Sequence, residues 1–340
     1  MLYLCSPVSS KLLCSFLFSI MTGGKRQCIP VEFTPLYYGA PVDADEGCDK
    51  KLKSILVEPH GFSTKVSSEF ANSLKNGDTV LLDQPNEVIT IHESSGVSSG
   101  YLAQTKGVKM SQTEYKSANF PVFECFGSGE ARMVDGGSTD NTGILALLRR
   151  NCKSVIACLA SNLSVNDPAS EDANVTALGT LAGLFGRQKS TGLVDLVDNE
   201  WYNRTRQVFP SQRWDELLDV WRKKLKAGLP TVHKMTLPVL ENTLVGVKGG
   251  YDATILFVVS GECSKWQARL PAAIKAKIQA DKISGEGVLV EAGIRPANLS
   301  HFPYMPVGDL YYSPELLTLM AQLHSFQMLE SSDDLKSIFE

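Results

Sequence analysis

Residues 130–161 read "EARMVDGGSTDNTGILALLRRNCKSVIACLAS", and the fold class turns on how this stretch divides. "EARMVDGG" is a short strand that breaks at two glycines. "TGILALLRRN" has the apolar spacing and basic last turn of a helix, with Thr142 as its cap, and "KSVIACLAS" has the β-branched and small residues of a buried strand. Strand, loop, helix and strand in that order predict a β-loop-α-β unit, and the alternation points to an α/β sandwich around a mixed sheet. In such sheets, sites lie beyond the carboxyl ends of strands. Asp135 stands at a place of that kind.

Two readings of "MVDGGSTDNTG" (133–143) are open at this point. Asp-Gly-Gly is a common turn composition, and Asp140 and Asn141 suit bonds to the turn backbone and the start of the helix. Equally, a carboxylate at a strand end can act as a general base, with Gly136 and Gly137 letting the backbone approach a substrate closely. A calcium loop does not fit, because the D-x-D-x-D-G spacing is missing.

Outward from this centre, "VEFTPLYYG" (31–39) predicts a strand running into a turn at Gly39 and Pro41, and "GDTVLLD" and "NEVITIHE" predict a strand pair. Downstream, Trp214, Leu217, Leu218, Trp221 and Leu225 fall on one face of an amphipathic helix within 209–226, a face expected on the core rather than in a membrane. "DATILFVVSGE" (252–262) predicts a buried strand. Ser313 caps a helix begun by Pro314, with Leu316, Leu317, Met320, Leu323 and Phe326 as its core face.

The 340-residue chain carries 43% hydrophobic and 21% charged residues, a globular composition that argues against disorder, collagen and coiled coil. Its net charge of −4 gives no basic footprint for a phosphate backbone, so nucleic acid is not the expected partner. No linker, repeat or low-complexity tract divides it, which favours one domain. Eight scattered cysteines without a C-x-x-C pair read as reduced thiols of a cytosolic protein, and five dispersed histidines offer no metal-binding pair, so neither metal nor cofactor is expected.

"KLLCSFLFSIM" near the start is too short to span a bilayer, which takes about 20 residues. Four N-x-S/T sequons (Asn162, Asn174, Asn203, Asn298) allow secretion as the second reading. With one preceding lysine and no A-x-A-like cleavage site, the segment is expected instead as an interior helix of a domain that starts further upstream.

Three further strings formally match known motifs. "GVSSG" (96–100) fits the G-x-S-x-G nucleophile elbow and makes Ser98 a formal nucleophile, yet a weak helix former follows it. "TGGKRQ" (22–27) lacks the P-loop spacing, and "GSG" (127–129) is half of a dinucleotide fingerprint that precedes a strand.

Several of these strings, in order, resemble the catalytic domain of the cytosolic (group IV) phospholipase A family within the patatin-like lipase superfamily. "PVEFTPLYYG" (30–39) is similar to that family's V/I-E-F/I-S/T-P-Y-E-x-G strand, with a tyrosine where its glutamate usually stands. "SSGVSSGYLA" (94–103) is similar to a family stretch of the type M/L-G-V-x-S/G-S-A-F-x. "MVDGGSTDNTGILALLRR" (133–150) resembles V-D-S/G-G-L-x-x-N followed by a helix ending in Arg. "YDATILFVVSGECSKWQARLP" (251–271) and "HFPYMPVGDLYYSPELLTLMAQLHSF" (301–326) resemble its penultimate strand and last helix.

The resemblance implies a patatin / cytosolic phospholipase-like sandwich with a mixed central sheet, incomplete at its N-terminal side. It divides the chain into an apolar segment 1–29, the C-terminal part of a phospholipase-like domain at 30–330, and a tail at 331–340. It also implies hydrolysis of phospholipid or lysophospholipid esters at a membrane surface by a Ser-Asp dyad, in which Asp takes the serine proton directly.

By resemblance Asp135 is the base, with Gly136, Gly137 and Asn141 as backbone support. The family's G-L/I-S-G-S nucleophile and Gly-rich oxyanion loop precede its V-E-F strand. Residues 1–29 hold neither, and Ser98 follows the strand, where the family has a structural segment. The chain is therefore expected to be inactive as given, with a non-catalytic lipid- or partner-binding module on the same scaffold as the alternative.

Overall fold

The computed structural model describes residues 16–20, 31–33, 38–40, 55–57, 133–135, 140–163, 177–187, 206–284, 299, 302–303 and 313–340. Five short strands come first: β1 (Phe16–Ile20), β2 (Val31–Phe33), β3 (Tyr38–Ala40), β4 (Ile55–Val57) and β5 (Met133–Asp135). They form one antiparallel sheet in the order β4-β3-β2-β1-β5.

Two expectations change here. "VEFTPLYYG" is a pair of strands rather than one, with Glu32 opposite Gly39 and Phe33 opposite Tyr38. Gly39, expected to end the strand, lies within the second of them. "FLFSI", expected within a helix, is instead the strand between β2 and β5. Alternating Phe, Leu and Phe suit a pleated surface as well as a helix face, and strand partners on both sides decide the matter.

Next come α1 (Ile144–Arg149), β6 (Ser154–Leu163), α2 (Ala177–Leu184), α3 (Gln212–Lys226), β7 (Val232–Val239) and β8 (Tyr251–Gly261). The helix and strand predicted from 142–161 are both present. However, β5 and β6 lie in different sheets, so the expected β-loop-α-β unit bridges two sheets instead of crossing over within one. The second sheet has the order β6-β8-β7, with β6 parallel and β7 antiparallel to β8, and it makes the fold α/β with a small mixed sheet.

β8 is the middle strand, which explains why "TILFVVSG" is apolar almost without alternation: both of its faces are covered. Ala253, Ile255, Phe257 and Val259 face the main core beside Trp214, Leu217 and Trp221 of α3 and Leu145 and Leu148 of α1. Leu256 and Val258 face the other side, against Ile338. β7 is a strand that the sequence reading missed, because Lys234 and Pro238 interrupt its apolar pattern. Both are tolerated at the margin of the described sheet.

The chain closes with α4 (Ser264–Gln267), α5 (Ala272–Ser284), α6 (Pro314–Glu330) and α7 (Ser332–Lys336). Ser313 caps α6, accepting from the Leu316 N–H at 3.1 Å, and Pro314 opens it. The buried face of α6 is Leu316, Leu319, Met320, Leu323, Phe326 and Gln327, whereas Leu317 is 46% exposed. A face centred one residue away from the predicted one meets Trp266 and Phe302. The stretch read as a tail folds as α7, and Ile338 beyond it packs on Val232, Leu256 and Val258. Among the described residues, no helix is long and apolar enough to cross a membrane.

Candidate functional site

Asp135 is the last residue of β5, opposite Phe18 of β1. The strand end expected from the sequence is therefore present, and it is paired to β1 at one end of the described first sheet. Gly136, Gly137 and Ser98 lie outside the described residues, as do "GDTVLLD", "NEVITIHE", "TGGKRQ" and "GSG".

The far side of the loop is described from Asp140 onward, and its polar residues are used locally. Asp140 Oδ1 accepts from the Thr142 N–H at 2.7 Å and from the Thr142 hydroxyl at 2.5 Å, while Oδ2 accepts from the Leu145 N–H at 3.0 Å. Thr142 Oγ1 accepts from the Ile144 N–H at 3.2 Å. Asp140 and Thr142 together satisfy N–H groups that the first turn of α1 leaves without a helical partner. Gly143, between Thr142 and α1, takes φ +67°, a left-handed conformation that glycine adopts without strain. The Asn141 N–H donates to Thr180 Oγ1 of α2 at 3.3 Å.

At the other end of α1 the structure assembles a group that the sequence did not reveal. Glu32, in the middle of β2, is completely buried, and its carboxylate meets two guanidinium groups. Arg149 pairs with Oε1, and Arg150 reaches Oε2 at 2.5 Å and Oε1 at 3.3 Å. Arg149 also donates to the Val245 carbonyl at 3.2 Å, and Arg150 to the Ala146 carbonyl at 2.6 Å. The two guanidinium groups sit at the C-terminal end of α1, where unpaired carbonyls carry the negative end of the helix dipole.

This cluster ties the two motifs together. "VEF" and the helix following "VDGG" are 117 residues apart at Arg149–Glu32, yet they share a buried ion pair. β1 pairs with both β2 and β5, so Asp135 and α1 are each tied to the first sheet, the one through β5 and the other through Glu32 of β2. A sequence signal did exist, since a glutamate inside an apolar strand needs a counter-charge if buried, and "LLRR" offers two.

A second pairing also escaped the sequence reading, which judged the histidines only by their spacing. Ser260 Oγ on β8 lies 3.0 Å from His324 Nε2 on α6. Serine and histidine at that distance can form a nucleophile and base. Ser260, however, has no exposed surface, so the pair fastens α6 to β8 and presents no hydroxyl to a substrate. Among the described residues, no three His, Cys, Asp or Glu side chains gather as a metal site.

Comparisons with protein-family models, with curated proteins and with solved structures returned no match.

Proposed function

We propose that the chain carries part of a phospholipid acyl-ester hydrolase of the patatin / cytosolic phospholipase-like class, with Asp135 as the base of a Ser-Asp dyad. The observation that carries this reading is the tie between motifs: the strand bearing Glu32 and the helix after "MVDGG" meet through Glu32, Arg149 and Arg150, and β1 alone separates Glu32 from Asp135 in the sheet. Two strings that resemble separate parts of one catalytic domain are thus neighbours in space.

The substrate is a phospholipid or lysophospholipid met at a membrane surface, with the protein in the cytoplasm. An ordinary aspartate, with a pKa of about 3.9, is a weak base toward a serine hydroxyl, so direct contact and exclusion of water supply much of the effect. The nucleophile and oxyanion donors come from outside the 340 residues. The polypeptide alone is expected to release no fluorophore from a fluorogenic phospholipid; turnover that disappears in Ser98→Ala would overturn that expectation.

Reading the coding sequence immediately upstream of Met1 tests the assignment more directly. An in-frame G-x-S-G-S and a Gly-rich loop support the hydrolase. An untranslated leader supports a non-catalytic lipid- or partner-binding module instead. In the longer polypeptide, Asp135→Asn is expected to lower kcat by about 10³- to 10⁴-fold without changing the melting temperature. Full activity in that variant would remove Asp135 from the chemistry.

A further inference from the structure

The last turn of α3, the start of α4 and the end of α6 converge at the C-terminal end of β8. The Gly228 carbonyl, just past α3, accepts from the Lys265 N–H at 3.1 Å and from Cys263 Sγ at 3.3 Å. Gln327 Nε2 of α6 donates to Thr231 Oγ1 at 3.2 Å, which brings Leu229 and Leu329, each two residues from that contact, to the same end. Lys265 and Arg269 both turn to Glu330, Arg269 at 3.9 Å. Lys275 Nζ of α5 donates to the Ala268 carbonyl at 2.8 Å.

What this end presents to solvent is cationic and apolar. Lys226 and Lys275 are exposed, and the side chains of Lys265 and Arg269 are 44% and 62% exposed despite their shared partner. Leu229 is 40% exposed and Leu329 74%, the latter the most exposed large hydrophobic residue among those described. The carboxylates described beside them are Glu330, divided between two cations, and Glu262. At the other end of the sheet, where β8 begins, exposed Lys153 and Lys248 are accompanied by exposed Glu241 and Asp252. A chain with more acidic than basic residues thus gathers an excess of cations at one end of this sheet and not at the other.

We infer that this end is the face by which the protein settles on a bilayer containing anionic phospholipid. Lys226, Lys265, Arg269 and Lys275 meet the headgroups, and Leu229 and Leu329 enter the interfacial layer. The inference deepens the membrane-surface reading above and rests on it for the class of partner. Charge complementarity selects the lipid, since each cation held within a Debye length of an anionic surface strengthens binding by about fivefold.

The mixture of side chains selects a bilayer over other acidic partners. Protein interfaces are depleted in lysine and centre on aromatic or closely packed apolar groups, whereas the exposed apolar side chains here are two leucines among cations. A nucleic acid would use the cations and leave both leucines in water. At a membrane surface both kinds are satisfied, because leucine enters the acyl boundary while lysine and arginine stay with the headgroups.

Co-sedimentation of the full chain with vesicles tests the face. Binding should be weak on phosphatidylcholine alone, strengthen when phosphatidylserine is mixed in, and fall as salt is raised. Lys226→Gln combined with Lys275→Gln should weaken binding to the anionic vesicles by about 25-fold, and Leu329→Ser by about tenfold. Lys153→Gln combined with Lys248→Gln, at the other end, should bind as the wild type does. No gain from phosphatidylserine, or equal weakening by the two lysine pairs, overturns the inference. Hydrogen exchange of the wild-type chain gives a reading that needs no variant to fold. Anionic vesicles should protect peptides spanning 226–229 and 264–269, and protection confined to other segments overturns the inference. Vesicle binding is read without turnover, so its failure leaves the hydrolase reading to be decided by the upstream coding sequence.

Discussion

Glu32 is the residue on which most rests. Its carboxylate has no exposed surface and the side chain of Arg149 is 6% exposed, so removing Glu32 strands the Arg149 charge away from water. Glu32→Ala should lower the urea unfolding free energy by about 3–5 kcal/mol, the range for breaking a buried pair from one side. A change under about 1 kcal/mol, within the range of surface salt bridges, would mean that water reaches the site. Asp140 is a gentler case, because it supplies a cap rather than a counter-ion. Asp140→Ala removes the acceptor for two backbone N–H groups and one hydroxyl, a loss of about 1–3 kcal/mol in the same measurement. The glutamate and the arginines were legible as residue types in the sequence, but their pairing was not, because nothing local in either segment specifies a partner more than a hundred positions away.

Among the elements, α3 shows what periodicity can establish. All five residues on its predicted face, Trp214, Leu217, Leu218, Trp221 and Leu225, are buried. The aromatic ones interlock, with the Trp221 ring edge-on to both Trp214 and Phe257 at centroid distances of 6.3 and 6.1 Å. α6 shows the limit. Its sequence is apolar nearly all round, so spacing alone could not choose between Leu317 and Leu319, and the contact with Trp266 and Phe302 chose Leu319. Leu319→Ala should therefore cost about 2–5 kcal/mol, while Leu317→Ala should stay within about 0.5 kcal/mol. Equal losses in thermal or urea unfolding would contradict the observed face. β7 was missed for the opposite reason: a lysine and a proline spoil its pattern, and only its partner β8 reveals the strand.

Among the described residues, two histidines shift in the same direction, and their effect on stability is felt by the whole molecule. His233 on β7 is depressed first by burial and then by the nearby Lys224 and Arg213 charges, against an opposing pull from Asp334, and His324 is depressed by burial. Lowered folded-state values leave stability unaffected above about pH 6.5 and erode it as pH falls below that, since the unfolded chain takes up protons first. The melting temperature should accordingly fall between pH 7.5 and 5.5 in the wild type and fall less in His233→Gln. An equal fall in that variant would assign the acid sensitivity to other groups.

By itself, the sequence determined the elements whose partners are implicit in their own pattern: α3, α1 with its polar entry, the continuous apolar strand β8, and the Ser313–Pro314 start of α6. It also placed Asp135 at a strand end. Only the tertiary structure decided that β5 and β6 belong to different sheets, that "FLFSI" is a strand, which side of α6 is buried, and that Glu32 meets Arg149 and Arg150. The physical reason is common to all four. Periodicity records which face of an element avoids water, whereas sheet membership and charge pairing depend on what the rest of the chain brings to that face.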